Sequence, residues 1–91
     1  MWMIYIILNK NKDKTYIGST NNFKKRLLDH NSNKVLSTKG NNPWIPVYIE
    51  FYPNEVEARK REKFLKTSTG RRYLRKVIDN IIKTWAHSSA G

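Results

Sequence analysis

Apolar and polar positions alternate along this chain in six blocks. Trp2 to Leu8 is dense in isoleucine and aromatic side chains and apolar on both faces, which predicts a central strand. Residues 9–14 are polar and turn-rich. They lead into a second short strand, 15–19, so the two form an antiparallel hairpin. Gly18 lies at the end of that strand, where a close backbone approach suits glycine. Asn21 is placed to cap a helix running to about Asn31, with Phe23, Leu27 and Leu28 as its inward stripe. Weak periodicity with Gly and Pro punctuation makes 31–45 a loop with at most one helical turn, and Val47 to Phe51 is a third strand. Asn54 followed by Glu57 forms a capping box that opens a helix to about Lys66. Thr67-Ser68-Thr69-Gly70 breaks it. A last helix, about Arg71 to Trp85, carries Leu74, Val77, Ile78, Ile81, Ile82 and Trp85 at the spacing of one packed face.

The order ββα-β-αα predicts an α+β fold: a small three-stranded antiparallel sheet flanked by three main helices, in one domain over 1–85, with 86–91 as a flexible tail. At 91 residues and 38% hydrophobic the core must be thin. The chain has no cysteine, which fits a reducing, cytoplasmic setting. No apolar run approaches the roughly 20 residues of a membrane span. Met1 to Leu8 lacks a basic leader and a cleavage site, so it reads as a buried strand rather than a signal peptide.

Charge narrows the partner. Eighteen Lys and Arg against seven Asp and Glu give +11, a self-repelling surface that a polyanion would neutralise. The cations are spread over several segments instead of facing one apolar stripe, which favours nucleic acid over a membrane. Lys24, Lys25 and Arg26 form one group, Lys34 and Lys39 a second, and Arg59 to Lys66 a third. Arg71, Arg72, Arg75 and Lys76 form the fourth. Contacts from Lys24, Lys25, Lys39, Arg59, Lys63, Lys66, Arg71 and Arg72 would go to phosphates, which set affinity without sequence choice. Trp44, between Pro43 and Pro46, is a candidate for stacking on a base or for anchoring the loop.

Phosphodiester hydrolysis needs a water, a group to take its proton, and positive charge for the phosphate. Arg26 supplies a planar, two-pronged, permanently charged donor. His30 lies one turn further on the same helix face, and a free imidazole titrates near pH 6.5. Tyr5 and Tyr16 lie on the two hairpin strands. A phenol there either packs or, with its hydroxyl at a shared edge, orients a water or phosphate. Glu62 falls near Ala58 and Leu65 at the core edge of its helix, with Arg59, Lys60, Arg61 and Lys63 as cationic neighbours. An internal salt bridge would also explain it.

These residues resemble the GIY-YIG nuclease superfamily. The carrying motifs are Ile4-Tyr5, then Tyr16-Ile17-Gly18, then Arg26 with His30 four residues on, and a later helix with Glu62. The resemblance covers about residues 2–75. It is closest to short stand-alone bacterial members, related to the endonuclease domain of the excision-repair nuclease. Met3 stands where the name motif has Gly. The resemblance implies a DNA endonuclease in which Arg26 clamps the phosphate and Glu62 holds one Mg²⁺ or Mn²⁺. It also implies that one of the tyrosines helps to activate the water. We assign Tyr5 with His30 to proton transfer and Tyr16 to orientation. Double-stranded or branched DNA is the expected partner, with a monomer or weak dimer and a protein partner able to supply targeting. A non-catalytic nucleic-acid-binding module and an RNA-directed nuclease are the alternatives. The nuclease reading requires Glu62 and Arg26 to meet at one cleft and not lie on opposite sides of the sheet.

Overall fold

The computed structural model describes residues 1–9, 11 and 14–90, the side chains of 85–90 excepted. The chain runs β1 (Trp2–Asn9), β2 (Thr15–Thr20), α1 (Phe23–Asn31), a 3-10 turn (Leu36–Thr38), β3 (Trp44–Tyr52), α2 (Glu55–Leu65) and α3 (Ser68–Ala90). The sheet is antiparallel with order β2-β1-β3, so the strand that is apolar on both faces is the central one. The α+β fold and the hairpin are as predicted.

Alternation along β1 gives the sheet two different faces. Ile4 and Ile6 pack with Ala58, Leu65 and Leu74, so α2 and α3 cover one face. Tyr5 and Ile7 pack with Trp44, and Tyr16, Phe23 and Leu27 close over them, so α1 covers the other. The helices therefore bury hydrophobic faces in separate layers, each a few side chains deep.

Several boundaries differ from expectation, each for a local reason. The first helix is capped by Asn22, whose side chain accepts from the Lys25 N–H, while the Asn22 N–H is taken by the Thr20 hydroxyl. Asn21 is exposed and precedes the cap. Leu28 lies outside the stripe and is exposed. β3 starts at Trp44, three residues early. Pro46 is accommodated because β3 is an edge strand and its pairing with β1 shifts register at Ile6/Ile7, next to the Ile7–Pro46 pair. The Asn54 cap on Glu57 is present as predicted.

Gly70 does not break the helix. α3 begins at Ser68, with the Thr67 hydroxyl accepting from the Gly70 N–H. A Cβ on Gly70 would strike the Phe64 carbonyl and lie 2.5 Å from the Leu65 Cα. Glycine is there because only Lys66 and Thr67 separate the two helices, so the start of α3 lies against the end of α2. α3 also continues through Ala90, beyond the predicted end at Trp85. The Trp85 side chain and Gly91 lie outside the described residues. No helix among the described residues is long and apolar enough to cross a membrane.

Candidate active site

Four of the five predicted residues meet under α1. Tyr5 projects from β1 on the α1 face and is fully buried. Its hydroxyl lies 2.8 Å from His30 Nε2 and accepts from Arg26 Nε at 3.3 Å. The rings of Tyr16 and His30 are 4.7 Å apart between centroids, and those of Tyr5 and Tyr16 6.3 Å. The Arg26 and His30 pair is set by the i, i+4 face of α1.

Gly18 is what admits the Tyr5 phenol. The two residues pair across β1 and β2, and a Cβ on Gly18 would collide with the Tyr5 hydroxyl and ring. The second motif thus needs Gly for the sake of the first motif's Tyr. Gly18→Ala should destabilise the fold by about 1–3 kcal/mol, as overpacking does. It should also displace the Tyr5 hydroxyl from His30, visible as a lowered melting temperature and altered tyrosine resonances.

His30 is also fully buried. Its Nδ1 lies 2.9 Å from the Thr38 hydroxyl, which itself donates to the Val35 carbonyl at 3.3 Å. Burial, with the Arg26 charge adding to it, lowers the imidazole to about 4, so it is neutral near pH 7. Burial raises Tyr5 to about 12, the Arg26 hydrogen bond only partly offsetting it. Moving a proton from Tyr5 to His30 spans roughly eight pKa units, a cost on the order of 10 kcal/mol at about 1.4 kcal/mol per unit. Both shifts run against proton exchange between the two groups. Neither group reaches solvent, and their acidities oppose the exchange. The Tyr5 hydroxyl joins His30 to Arg26, meeting one on each side.

Arg26 is half-buried, and the Tyr5 hydrogen bond raises its pKa, with Tyr16 adding to the effect. Among the described residues it makes no salt bridge to a carboxylate, unlike Arg59, Lys60, Arg61 and Lys66. Tyr16, also half-buried, is the phenol of the two that reaches the surface.

Glu62 stands apart. It belongs to α2, on the sheet face opposite α1, and docks at the β2 edge strand. There one carboxylate oxygen accepts from the Ser19 hydroxyl at 2.6 Å and the other from Lys66 at 2.8 Å. Burial raises its pKa, but the Lys66 and Ser19 hydrogen bonds outweigh that and hold it low, so it is ionised. Its charge is felt at Tyr5, where it adds to the upward shift. Glu62 makes no direct contact with Arg26. Direct convergence holds for Tyr5, Tyr16, Arg26 and His30, but the requirement that Glu62 and Arg26 meet at one cleft is not met. The two lie on opposite faces of the sheet, and only the Glu62 charge reaches the group, at Tyr5.

The predicted cationic neighbours of Glu62 also change. Arg61 turns instead to Glu50, at 3.0 and 3.2 Å. Lys60 pairs with Glu57. Arg59, Lys63 and Lys66 line a shallow depression around Glu62. The Glu50 group was missed in the sequence. Its carboxylate also accepts from the Tyr48 and Tyr52 hydroxyls of the same strand at 2.5 and 2.7 Å, and the Arg61 pair ties β3 to α2. The signal was present in the period-2 spacing of Tyr48, Glu50 and Tyr52 on one face of a strand.

Trp44 is corrected as well. It is 3% exposed and packs on Tyr5 and Ile7, with no ring face free to stack on a base. Its Nε1 donates to the Thr38 carbonyl at 3.2 Å, and its backbone N–H donates to Asn31 Oδ1 at 2.6 Å. Lys24, Lys25, Lys39, Arg59, Lys63, Lys66, Arg71 and Arg72 are all exposed. Lys66, Arg71 and Arg75 border a groove of about 550 Å³ between α3 and β2, which reaches Tyr16.

Glu62 is an ionised carboxylate at the edge of a depression lined by Arg59, Lys63 and Lys66, and a divalent ion there would have to displace Lys66 from it. Among the described residues no cluster of three or more His, Cys, Asp or Glu could hold a metal ion. Protein ligands alone would therefore not make a tight site.

The profile of the GIY-YIG catalytic domain matches residues 1–75. A UPF0213 protein of Clostridium perfringens is 37% identical over 83 residues, covering 89% of each chain. A second, from Staphylococcus haemolyticus, is 33% identical over 75 residues, covering 80% of this chain and 92% of its own. An uncharacterized protein of Acanthamoeba polyphaga mimivirus is 33% identical over 82 residues, 85% of this chain but 49% of its own length. No solved structure matches. The matched family is a nuclease-type catalytic domain. This chain belongs to the GIY-YIG family, in company with the short UPF0213 proteins.

Proposed function

We propose that this protein is an endonuclease that hydrolyses DNA phosphodiester bonds with the help of one divalent metal ion. The observation that carries the reading is Arg26: a guanidinium fixed through Nε by a buried phenol, with no acid to neutralise it among the described residues. A fixed cation of this kind, set among the exposed lysines of α1, suits a scissile phosphate.

In this mechanism Arg26 binds the phosphate and meets the charge that develops on it. Tyr16, the phenol at the surface, orients the attacking water. Tyr5 and His30 act behind it as the support of Arg26. Glu62 would hold Mg²⁺ or Mn²⁺, which when bound supplies charge neutralisation at the phosphate. Ser19 orients the Glu62 carboxylate. Arg59, Lys63, Lys66, Arg71 and Arg72 contact neighbouring phosphates, so binding should weaken steeply with salt.

The test is nicking of supercoiled plasmid with Mg²⁺, set beside a matched RNA hairpin. Cutting of DNA by wild type, lost in Arg26→Ala, supports the reading. Salt-dependent binding in EDTA with no cutting of either substrate would make the chain a binding module. For Glu62→Gln we expect Mn²⁺ binding, followed by calorimetry, to weaken by at least about tenfold, and metal-stimulated nicking to fall with it.

A further inference from the structure

Thr38 has no chemical role assignable from the sequence, yet it is fully buried and ends a chain of hydrogen bonds that begins at Arg26. The direction of that chain can be derived. The Thr38 hydroxyl has one hydrogen, and we assign it to the Val35 carbonyl at 3.3 Å, the neighbour that can only accept, rather than to His30 Nδ1, whose role depends on the tautomer. Its oxygen can then only accept from His30, so Nδ1 carries the imidazole hydrogen. A neutral ring leaves Nε2 bare, and it accepts the Tyr5 O–H. The Tyr5 hydrogen is thereby turned away from Arg26, and its oxygen is free to accept from Arg26 Nε–H. In the opposite tautomer Tyr5 would face two donors, and its own hydrogen would lack an acceptor in this group, since arginine has none.

We propose that Thr38 is a positioning residue for the phosphate clamp: by fixing the His30 tautomer it fixes the Tyr5 hydroxyl and, through it, the Arg26 guanidinium. Thr38 is itself held on its other side. Its carbonyl accepts from Trp44 Nε1, and its N–H donates to the Val35 carbonyl at 3.1 Å. The buried tryptophan is a strut for this device. The proposal rests on the nuclease reading only for what Arg26 is held for. The hydrogen-bond order itself is independent of that reading.

The test compares wild type, Thr38→Val, which keeps the shape but loses the hydroxyl, and Thr38→Ser, which restores it. The first readout needs no DNA: nitrogen-15 NMR of the His30 ring and of the Arg26 Nε–H. Wild type and Thr38→Ser should show hydrogen on His30 Nδ1 and a slowly exchanging Arg26 Nε–H. Thr38→Val should lose the Arg26 signal while its other amide signals stay dispersed. Hydrogen on Nε2 in wild type, or an unchanged Arg26 signal in Thr38→Val, overturns the proposal. The second readout is nicking, expected to fall about 10- to 100-fold in Thr38→Val and to recover in Thr38→Ser. If wild type cuts nothing, the nuclease reading fails while the NMR result still decides the role of Thr38.

Discussion

Arg26→Ala should lower DNA nicking by about two to three orders of magnitude, the loss typical of removing one fixed donor from a developing oxyanion. Arg26→Lys should recover little. The Nε–H that meets Tyr5 lies partway along the arginine side chain, and a lysine at that position has only a terminal ammonium. Folding should be nearly untouched in Arg26→Ala, because the residue is half-buried and has no carboxylate partner among the described residues. A melting temperature close to wild type with activity lost would separate the two effects. Nicking by Arg26→Ala within a few-fold of wild type would remove Arg26 from the mechanism.

Acid should weaken the fold well before the carboxylates titrate. His30 is about 4 when folded and near 6.5 when unfolded, so between those values the unfolded chain binds the extra proton. Its contribution is complete above pH 6.5 and is lost as pH falls toward 4. The loss amounts to about 3 kcal/mol. At about 4–8 °C per kcal/mol for a domain of this size, the melting temperature should fall by 10 °C or more. His30→Gln should flatten the curve in that window while leaving the steeper loss below about pH 4.5. That lower loss arises where Glu50 and Glu62, both held below their ordinary values, take up protons. A wild-type curve that is level from pH 7 to 5 would show that His30 is not buried and neutral.

Much of this was legible in the chain, because local chemistry and tertiary structure agree there. Trp2 to Leu8 is apolar on both sides, and only a central strand covered on both faces uses such a segment. The Asn54 cap and the Leu74 to Ile82 stripe are local signals that packing reinforces. The motif residues came from resemblance, and four of them meet as that implied. What the pattern did not carry was exposure. Nothing in Ile4-Tyr5-Ile6 says that the phenol is sealed, since the sealing comes from Trp44 and α1, far along the chain. Trp44 itself, flanked by prolines, reads as irregular backbone, and only pairing with β1 makes it strand. Gly70 reads as punctuation because its steric neighbour is another helix's carbonyl. Thr38 has no periodic context, and its meaning comes entirely from the ring eight residues upstream.

β2 divides the functional groups. Tyr16 and Gly18 serve one side of this six-residue ribbon, and Ser19 anchors Glu62 on the other. The carboxylate and the guanidinium are thus parted by the backbone layer of one strand. A single-residue insertion in β2 would therefore swap which of its groups look up and which look down.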